Sequence, residues 1–540
     1  LRVYVISPWI GDYPESRSQI KMKRGGVMPT ALISVYDKTG IIPLAQSLIQ
    51  KGWTLLATGG TLQVLKAHPL PVTEVSSFTG YPECFEGRVK TLHPKVHGGL
   101  LFDRQKKQHA EDAQRLGIEA IDLVVVNLYP FEATIQKPGV RFEEAIEQID
   151  IGGPSMIRSA AKNHASVTVL TQPSQYELFL KALEQDQWGE TQRRQCAQEA
   201  FNHTAHYDRV IADWIASSAT TAPSLSLPPK LQLNLIQHQS LRYGENPHQE
   251  GAYYQPISGS THGLAQTHQL QGKELSFNNL LDMEACGRLI ESFQTPACVI
   301  VKHNNPCGVS LGPDVDTAFD RALACDSISS FGGIVAFNQP VTGTLAQKMI
   351  ENFWEVIMAP SFSPEALAIF QSKTSLRLMQ IQLPWSSAES LDIRSVSGGY
   401  LVQDLDRSEV VTADWVIKVE GKSPRPSDED LNLAQTVAKS VKSNAIVLVK
   451  NGQTVGIGAG QMSRIEAVRI ACEKAGPCAE GSVLGSDAFF PFPDGVEWAA
   501  SRGVRSFIHP GGSLRDAEVI AAAQRLGVWL FTTGIRHFRH

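Results

Sequence analysis

Lys302 and His303 follow the apolar run Ala297-Cys298-Val299-Ile300-Val301 and precede Asn304-Asn305-Pro306. A fixed cation, an imidazole that moves protons near neutral pH and two amides are thereby delivered together. The run predicts a buried strand ending where Asn and Pro break the ladder, and sites on α/β sheets collect at such strand ends. An isolated Lys-His pair is ordinarily a solvated loop, so its weight depends on what else the chain offers.

The first half offers more. Thr58, Gly59, Gly60 and Thr61 stand between an apolar run and a helical pattern, where backbone N–H groups and the helix dipole bind phosphate. Ser34 and Lys38 follow an earlier strand pattern, so two strand ends present anion-binding groups to one side of a sheet. Residues 87–99 carry Arg88, Lys90, His93, Lys95 and His97 without an acid among them, and read as a substrate loop rather than a solvated basic loop. Asp150 precedes Gly152-Gly153-Pro154, a helix start, and Arg158 and Lys162 share a face at i, i+4 spacing. Two like charges there are an asset where an anionic ligand or Asp150 compensates them.

In the second half, Arg242 and Tyr243 pair a forked cation with an aromatic face, suited to phosphate and to a planar base. Gly456-Ile457-Gly458-Ala459-Gly460 precedes a helix with the capping box Ser463 to Glu466, and Arg464 in its first turn makes that start an anion site by position. The spacing is not that of a dinucleotide-binding loop.

The elements positioning these groups alternate. A strand over 32–35, a helix over 41–50, a strand over 53–57, a helix from Leu62 and a strand over 123–126 predict α/β architecture with a parallel sheet. A helical stretch runs through 205–217, and the Pro- and Ser-rich 220–229 then marks the main boundary. Beyond it, Val299-Ile300-Val301-Lys302 echoes as Val447-Leu448-Val449-Lys450, which two related subdomains would explain. Lys422-Ser423-Pro424-Arg425-Pro426 reads as their linker, followed by a helix capped by Ser427 with Leu431, Ala434, Ala438 and Val441 as its buried stripe. The expected division is an extension over 1–27, disordered and ahead of the natural start at Met28, then domains over 28–222 and 223–540, the latter split into about 223–420 and 421–540.

At 540 residues the chain exceeds what one core serves, so roughly two to four domains are expected. A hydrophobic share of 42% with 19% charged residues fits a packed fold, and a net charge of -5 argues against a nucleic-acid partner. The eight cysteines form no C-x-x-C pair, which reads as cytoplasmic and without zinc. No apolar stretch approaches the ~18 to 20 residues of a membrane span.

Segments 87–99, 127–131, 150–164, 241–249, 302–308, 327–333, 487–492 and 536–540 together resemble the bifunctional purine-biosynthesis family that joins AICAR transformylase to IMP cyclohydrolase, and the match runs in order from about residue 30. The resemblance implies a methylglyoxal-synthase-like N-terminal domain with a parallel sheet, followed by two cytidine-deaminase-like α/β subdomains without the deaminases' zinc. It implies that the C-terminal half transfers a formyl group from the cosubstrate 10-formyltetrahydrofolate to AICAR. His303 is then the base, Lys302 the stabiliser of the oxyanion or proton donor to the folate nitrogen, and Asn444 orients both. Arg242, Tyr243, Gly332, Glu355 and Arg464 would hold the nucleotide, with Phe489, Phe490 and Asp494 near the folate, in sites at a homodimer interface.

The N-terminal half would close formyl-AICAR to IMP with loss of water, through Lys90, Tyr129, Asp150 and Lys162. Ser34, Lys38, Thr58, Gly59, Gly60, Thr61, Arg88, Thr91 and Asn127 would hold the substrate, and no metal is required. Tyr36 departs from the family, where many relatives carry a smaller polar residue. The alternative is an N-terminal domain that only senses a phosphosugar or nucleotide. Retention of the proton-transfer set argues against it, because a sensor needs only the phosphate cradle.

Overall fold

The computed structural model describes residues 28–218, 227, 230–257, 259–386, 391–408 and 415–540. The extension expected over 1–27 lies outside the described residues, as does 220–229 apart from Leu227. The chain divides into two compact units, Leu1–Ser226 and Leu227–His540.

In the first unit, β1 (Thr30–Val35), β2 (Thr54–Ala57), β3 (Thr73–Glu74), β4 (Leu123–Asn127) and β5 (Thr168–Leu170) form a sheet in the order β3-β2-β1-β4-β5. All its pairings are parallel. Helices cover both faces, so the central strands are apolar throughout, with Leu32, Ile33, Val124 and Val125 fully buried. The helix Ile41–Gln50 turns Ile41, Leu44, Ala45 and Leu48 inward, the i, i+3, i+4, i+7 stripe. The second helix is Gly59–Lys66, beginning three residues before Leu62, so the glycine pair is its first turn and not a preceding loop. The unit closes with the long helix Glu190–Ser218.

The second unit opens with a separate hairpin of β6 (Leu235–Leu241) and β7 (Gly251–Pro256). Its first half then supplies β8 (His268–Gln271), β9 (Ala297–Lys302), β10 (Asn305–Leu311), β11 (Ile334–Phe337), β12 (Val356–Ala359) and β13 (Arg377–Gln380). A second free hairpin, β14 (Leu391–Val396) with β15 (Gly399–Asp404), follows. The second half supplies β16 (Val416–Val419), β17 (Ile446–Lys450), β18 (Gln453–Gly458), β19 (Val483–Ser486), β20 (Ser506–His509) and β21 (Trp529–Thr532). These twelve strands join in the order β16-β21-β20-β19-β17-β18-β10-β9-β11-β12-β13-β8.

Read outward from the β18–β10 contact, that order is the same on both sides, and every corresponding pairing has the same sense. The sequence echo at Lys302 and Lys450 is therefore a repeat of a whole subdomain. Gly308 on β10 lies where a Cβ would stand 2.0 Å from the Ala322 carbonyl, and Gly456 and Gly458 on β18 meet the carbonyls of Ala471 and Ala467 at 2.1 and 2.0 Å. In both halves glycine lets a helix backbone lie against the strand, so the Gly456–Gly460 run is a packing device. Ser427 caps the helix Asp428–Ser440 as expected, with Leu431, Ala434 and Ala438 buried. Val416–Val419, placed by the 420/421 division in the first subdomain, pairs with β21 of the second. Among the described residues no helix is long and apolar enough to cross a membrane.

Candidate active sites

The first site is a crevice at the carboxyl ends of β1, β2 and β4. With β1 central and its neighbours entered from opposite sides, this is the switch point of an open α/β sheet. Ser34 Oγ lies 3.0 Å from Thr58 Oγ1, so the two strand ends converge. Gly59 adopts φ 46°, and the space where a Gly60 Cβ would stand is open, leaving the first amides of the helix Gly59–Lys66 free to meet a ligand. The Lys90 ammonium lies 3.6 Å from the Cβ position of Gly59, beside the positive end of that helix. A cation there needs an anion; Glu83 answers it at 2.8 Å, and a ligand phosphate would answer it further.

Three residues expected to contact the ligand also make hydrogen bonds that shape the crevice. The Thr61 hydroxyl accepts the Val35 N–H and donates to its carbonyl, both at 3.0 Å. Lys38 Nζ donates to the carbonyls of Val35 and Tyr36 at 2.6 and 2.9 Å, and burial lowers its pKa. The Asn127 carboxamide accepts the N–H groups of Tyr36 and Asp37 and donates to the Asp37 carbonyl, holding the loop after β1. Tyr129, 46% exposed, faces Tyr36 edge-on at 5.8 Å.

Asp150 sits just before the helix Gly152–Lys162. Its Oδ1 accepts the Gly153 N–H at 2.8 Å, and the Tyr207 hydroxyl accepts its N–H at 2.8 Å. Burial raises the Asp150 carboxyl above the ordinary range, against the pull of the Gly153 and Gly152 amides. A carboxylate so destabilised takes up a proton readily. Gly152 allows Thr91 Oγ1 to come within 2.7 Å of its Cβ position, which brings the Lys90–Thr91 segment to the same helix start.

Two expectations fail here. Lys162 occupies the last turn of that helix, about 15 Å along the axis from its start, so Asp150 does not neutralise it. It lies instead at the negative end of the helix dipole, while Arg158 covers the Phe201 ring at 5.6 Å. From Pro94 onward the supposed substrate loop is the helix Pro94–Leu101, capped by His93, with Val96, Gly99 and Leu100 buried. His97 packs against Ser159 Oγ at 3.0 Å. Arg88 pairs with Glu147 at the surface.

In the second unit, β9 does not end at a broken ladder. His303 and Asn304, with φ 52° and 65°, form a two-residue turn, and Pro306 already lies in β10 opposite Val301. Asp282, on the helix Phe277–Ile290, accepts both turn amides, from Asn304 at 2.7 Å and His303 at 3.2 Å. Lys302 Nζ donates to the Phe331 carbonyl and stands 3.8 Å from the Cβ position of Gly332. Lys302, His303 and Asn305 line one side of a cavity of about 370 Å³, with Ala459, Gln461 and Lys474 opposite. The cavity thus lies between the two repeats.

Asn444, in the second repeat, adjoins this cavity through the lining residue Gln461. Its amide donates to the Gln461 carbonyl at 2.8 Å, and its oxygen accepts Arg464 Nη2 at 2.7 Å. Arg464 is 7% exposed, and its other nitrogen binds Ser486 and the fully buried Asp487. The expected nucleotide-holding cation is thus internally satisfied, and it acts by fixing Asn444. Phe490, expected near the folate, is 1% exposed in the core against Phe507 and His509. Phe489 is 37% exposed, and Asp494 begins the helix Asp494–Ser501 at the surface. Glu355 is tied to the buried Arg377 at 2.7 Å. Arg242 covers the Tyr243 ring at 4.7 Å and donates to its hydroxyl at 2.9 Å.

Sequence reasoning missed Glu83, Tyr207, Asp282 and Asp487, the partners that hold the reactive groups. One signal was present: Asp282 precedes Lys302 by the same distance as Asp430 precedes Lys450.

Comparison with known proteins identifies the family. An MGS-like domain model matches residues 40–155, and the AICARFT/IMPCHase bienzyme model matches residues 160–474. The bifunctional purine biosynthesis protein PurH of Cyanothece sp. is 49% identical over 517 residues, covering 95% of this chain and all of that protein. The PurH proteins of Desulfitobacterium hafniense and Bacillus cereus are 47% and 46% identical, each across 94% of this chain and 99% of their own length. With an N-terminal parallel-sheet crevice, a C-terminal Lys-His cavity and relatives matched from end to end, the chain belongs to the AICARFT/IMPCHase bienzyme family.

Proposed function

We propose that the second unit transfers the formyl group of 10-formyltetrahydrofolate to the 5-amine of AICAR at the Lys302-His303 cavity, and that the first unit closes the product to IMP at the Asp150 crevice. The observation carrying the first assignment is the juxtaposition of Lys302 and His303 with Gln461 in one cavity of small-molecule size, with Asn444 pinned to the Gln461 carbonyl behind it. The amine's lone pair is delocalised into the ring, so attack on the formyl carbon needs its proton removed as the bond forms. His303 takes that proton, and Lys302 stabilises the oxyanion or protonates the departing folate nitrogen. Arg242 and Tyr243 hold the nucleotide, and exposed Phe489 and Asp494 lie on the folate side.

In the crevice, the open helix start at Gly59–Gly60, with Ser34 and Thr58, binds the phosphate. Asp150 accepts a proton from the carboxamide nitrogen as it attacks the formyl carbon, Lys90 stabilises the formyl oxygen, and Tyr129 relays the proton lost with water. Lys162, in the last turn of the helix that Asp150 precedes, is the remaining member of the proton-transfer set.

Exposed Ile328 and Phe331, 88% and 64%, adjoin the Lys302 anchor and support a homodimer whose interface borders the transformylase site. A cytoplasmic location fits the eight unpaired cysteines. Purified protein given AICAR and 10-formyltetrahydrofolate should yield formyl-AICAR and then IMP, resolved by chromatography. Absence of both formyl-AICAR and IMP would refute the first assignment; accumulation of formyl-AICAR without IMP would refute the second.

A further inference from the structure

The turn that carries His303 occurs twice in this protein, and only once with a residue able to transfer protons. In the second repeat β17 and β18 are joined by Asn451 and Gly452, with φ 54° and 73°. Asp430 accepts their two amides at 3.1 and 2.7 Å, as Asp282 accepts those of His303 and Asn304 at 3.2 and 2.7 Å. The preceding lysines match as well: Lys450 Nζ donates to the Glu480 carbonyl as Lys302 Nζ does to that of Phe331.

Asn-Gly is the pair such a left-handed turn prefers, so the second copy needs little help. The first copy places His and Asn there, and a histidine with positive φ is an uncommon conformation. A carboxylate presenting one oxygen to each amide holds that conformation and, with it, the direction of the Cα–Cβ bond of His303. One helical turn earlier, Asn278 donates to the carbonyl of Glu245 at 3.2 Å, in the loop that follows Arg242 and Tyr243. One face of the helix Phe277–Ile290 therefore carries both the nucleotide loop and the histidine turn.

We propose that Asp282 is the positioning residue of the formyl-transfer site, clamping the His303–Asn304 turn so that the imidazole meets the amine of a nucleotide held by the neighbouring loop. This rests on the assignment of Lys302 and His303 to formyl transfer. Asp430 is its counterpart without chemistry and serves as a control inside the same chain. In Asp282→Asn one amide N–H faces an NH₂ group in place of an oxygen, and the turn loses its two-point hold.

The test uses the full chain with enzyme in excess over 10-formyltetrahydrofolate and saturating AICAR, following a single turnover. The amplitude is set by the limiting 10-formyltetrahydrofolate and shows that it is all consumed, and the rate constant reports the reaction at the occupied sites. Asp282→Asn should lower the rate constant on the order of 10- to 100-fold at retained amplitude, the scale of a displaced catalytic group. Asp430→Asn should keep the wild-type rate constant, and both should cyclise formyl-AICAR normally. A wild-type rate constant for Asp282→Asn, or an equal loss in Asp430→Asn, would overturn the proposal. His303→Ala, run alongside, separates the two levels: if it too reacts at the wild-type rate, the site assignment itself fails. Should Asp282→Asn not fold, Asp282→Ser, which keeps a single acceptor, is read by the same criteria.

Discussion

Asn305 joins the two repeats at the point where their chemistry meets. Its side-chain oxygen accepts the backbone N–H of Lys442 at 2.9 Å, while its amide donates to the His303 carbonyl at 3.2 Å. Two residues beyond Lys442 stands Asn444. One side chain thus sets the separation of His303, delivered by β9, from Asn444, delivered ahead of β17.

Asn305→Ala should therefore slow formyl transfer on the order of 10- to 100-fold by letting the two groups drift apart. Leaving the His303 carbonyl and Lys442 N–H without partners should cost about 1 to 3 kcal/mol of stability. Steady-state transfer assays with thermal melts check this, and cyclisation of supplied formyl-AICAR should be unaffected.

His303→Ala should slow formyl transfer by about 10² to 10⁴, the usual worth of a positioned acid or base. Formyl-AICAR added directly should still become IMP at the wild-type rate. Chromatographic time courses with each substrate give both numbers.

Arg464→Met removes the cation from a buried pair and leaves Asp487 uncompensated. A loss of about 3 to 5 kcal/mol is expected, read as a lower denaturation midpoint, together with impaired formyl transfer because Asn444 loses its anchor. A variant as stable as wild type would show that Asp487 is satisfied by other partners.

Asp150→Asn should abolish cyclisation while raising stability at neutral pH. Burial raises the folded-state pKa of this carboxyl above its unfolded value. The folded protein then binds the proton more tightly, so this group favours folding at low pH, and that contribution is lost as pH rises through the interval between the two values. Wild type and variant should therefore melt alike below about pH 4, the unfolded aspartate value, and diverge in the variant's favour above it. Calorimetry across that range measures the difference.

The neighbours Phe489 and Phe490 should separate cleanly. Phe490→Ala opens a cavity beside Phe507 and His509, and should cost about 3 to 5 kcal/mol. Phe489→Ala should leave the melting temperature nearly unchanged and raise the KM for 10-formyltetrahydrofolate. Equal destabilisation by both would place Phe489 in the core.

The sequence by itself determined the local elements and the chemistry available. Strands β1, β2 and β4 and the helix Ile41–Gln50 were legible because apolar runs and the i, i+3, i+4 stripe are written in consecutive residues. Asp150 was legible because Gly152-Gly153-Pro154 starts a helix, and Lys302 and His303 because they end the apolar run of β9. The echo at Lys450 was visible too, though not its extent, since most of the repeat is conveyed by strand order and not by residue identity. What only the tertiary structure decided is which polar groups remain free. Arg464, Asn127 and Thr61 have the right types for ligand binding, yet each also holds partners such as Asp487 or Val35, brought from distant positions by the packing of sheet and helix. Lys162 stands at the far end of a helix whose length separates it from Asp150, so that carboxylate is not its counter-ion. A hydrogen bond is satisfied by whatever lies within about 3 Å in space, and separation along the chain carries no information about that distance once the fold closes.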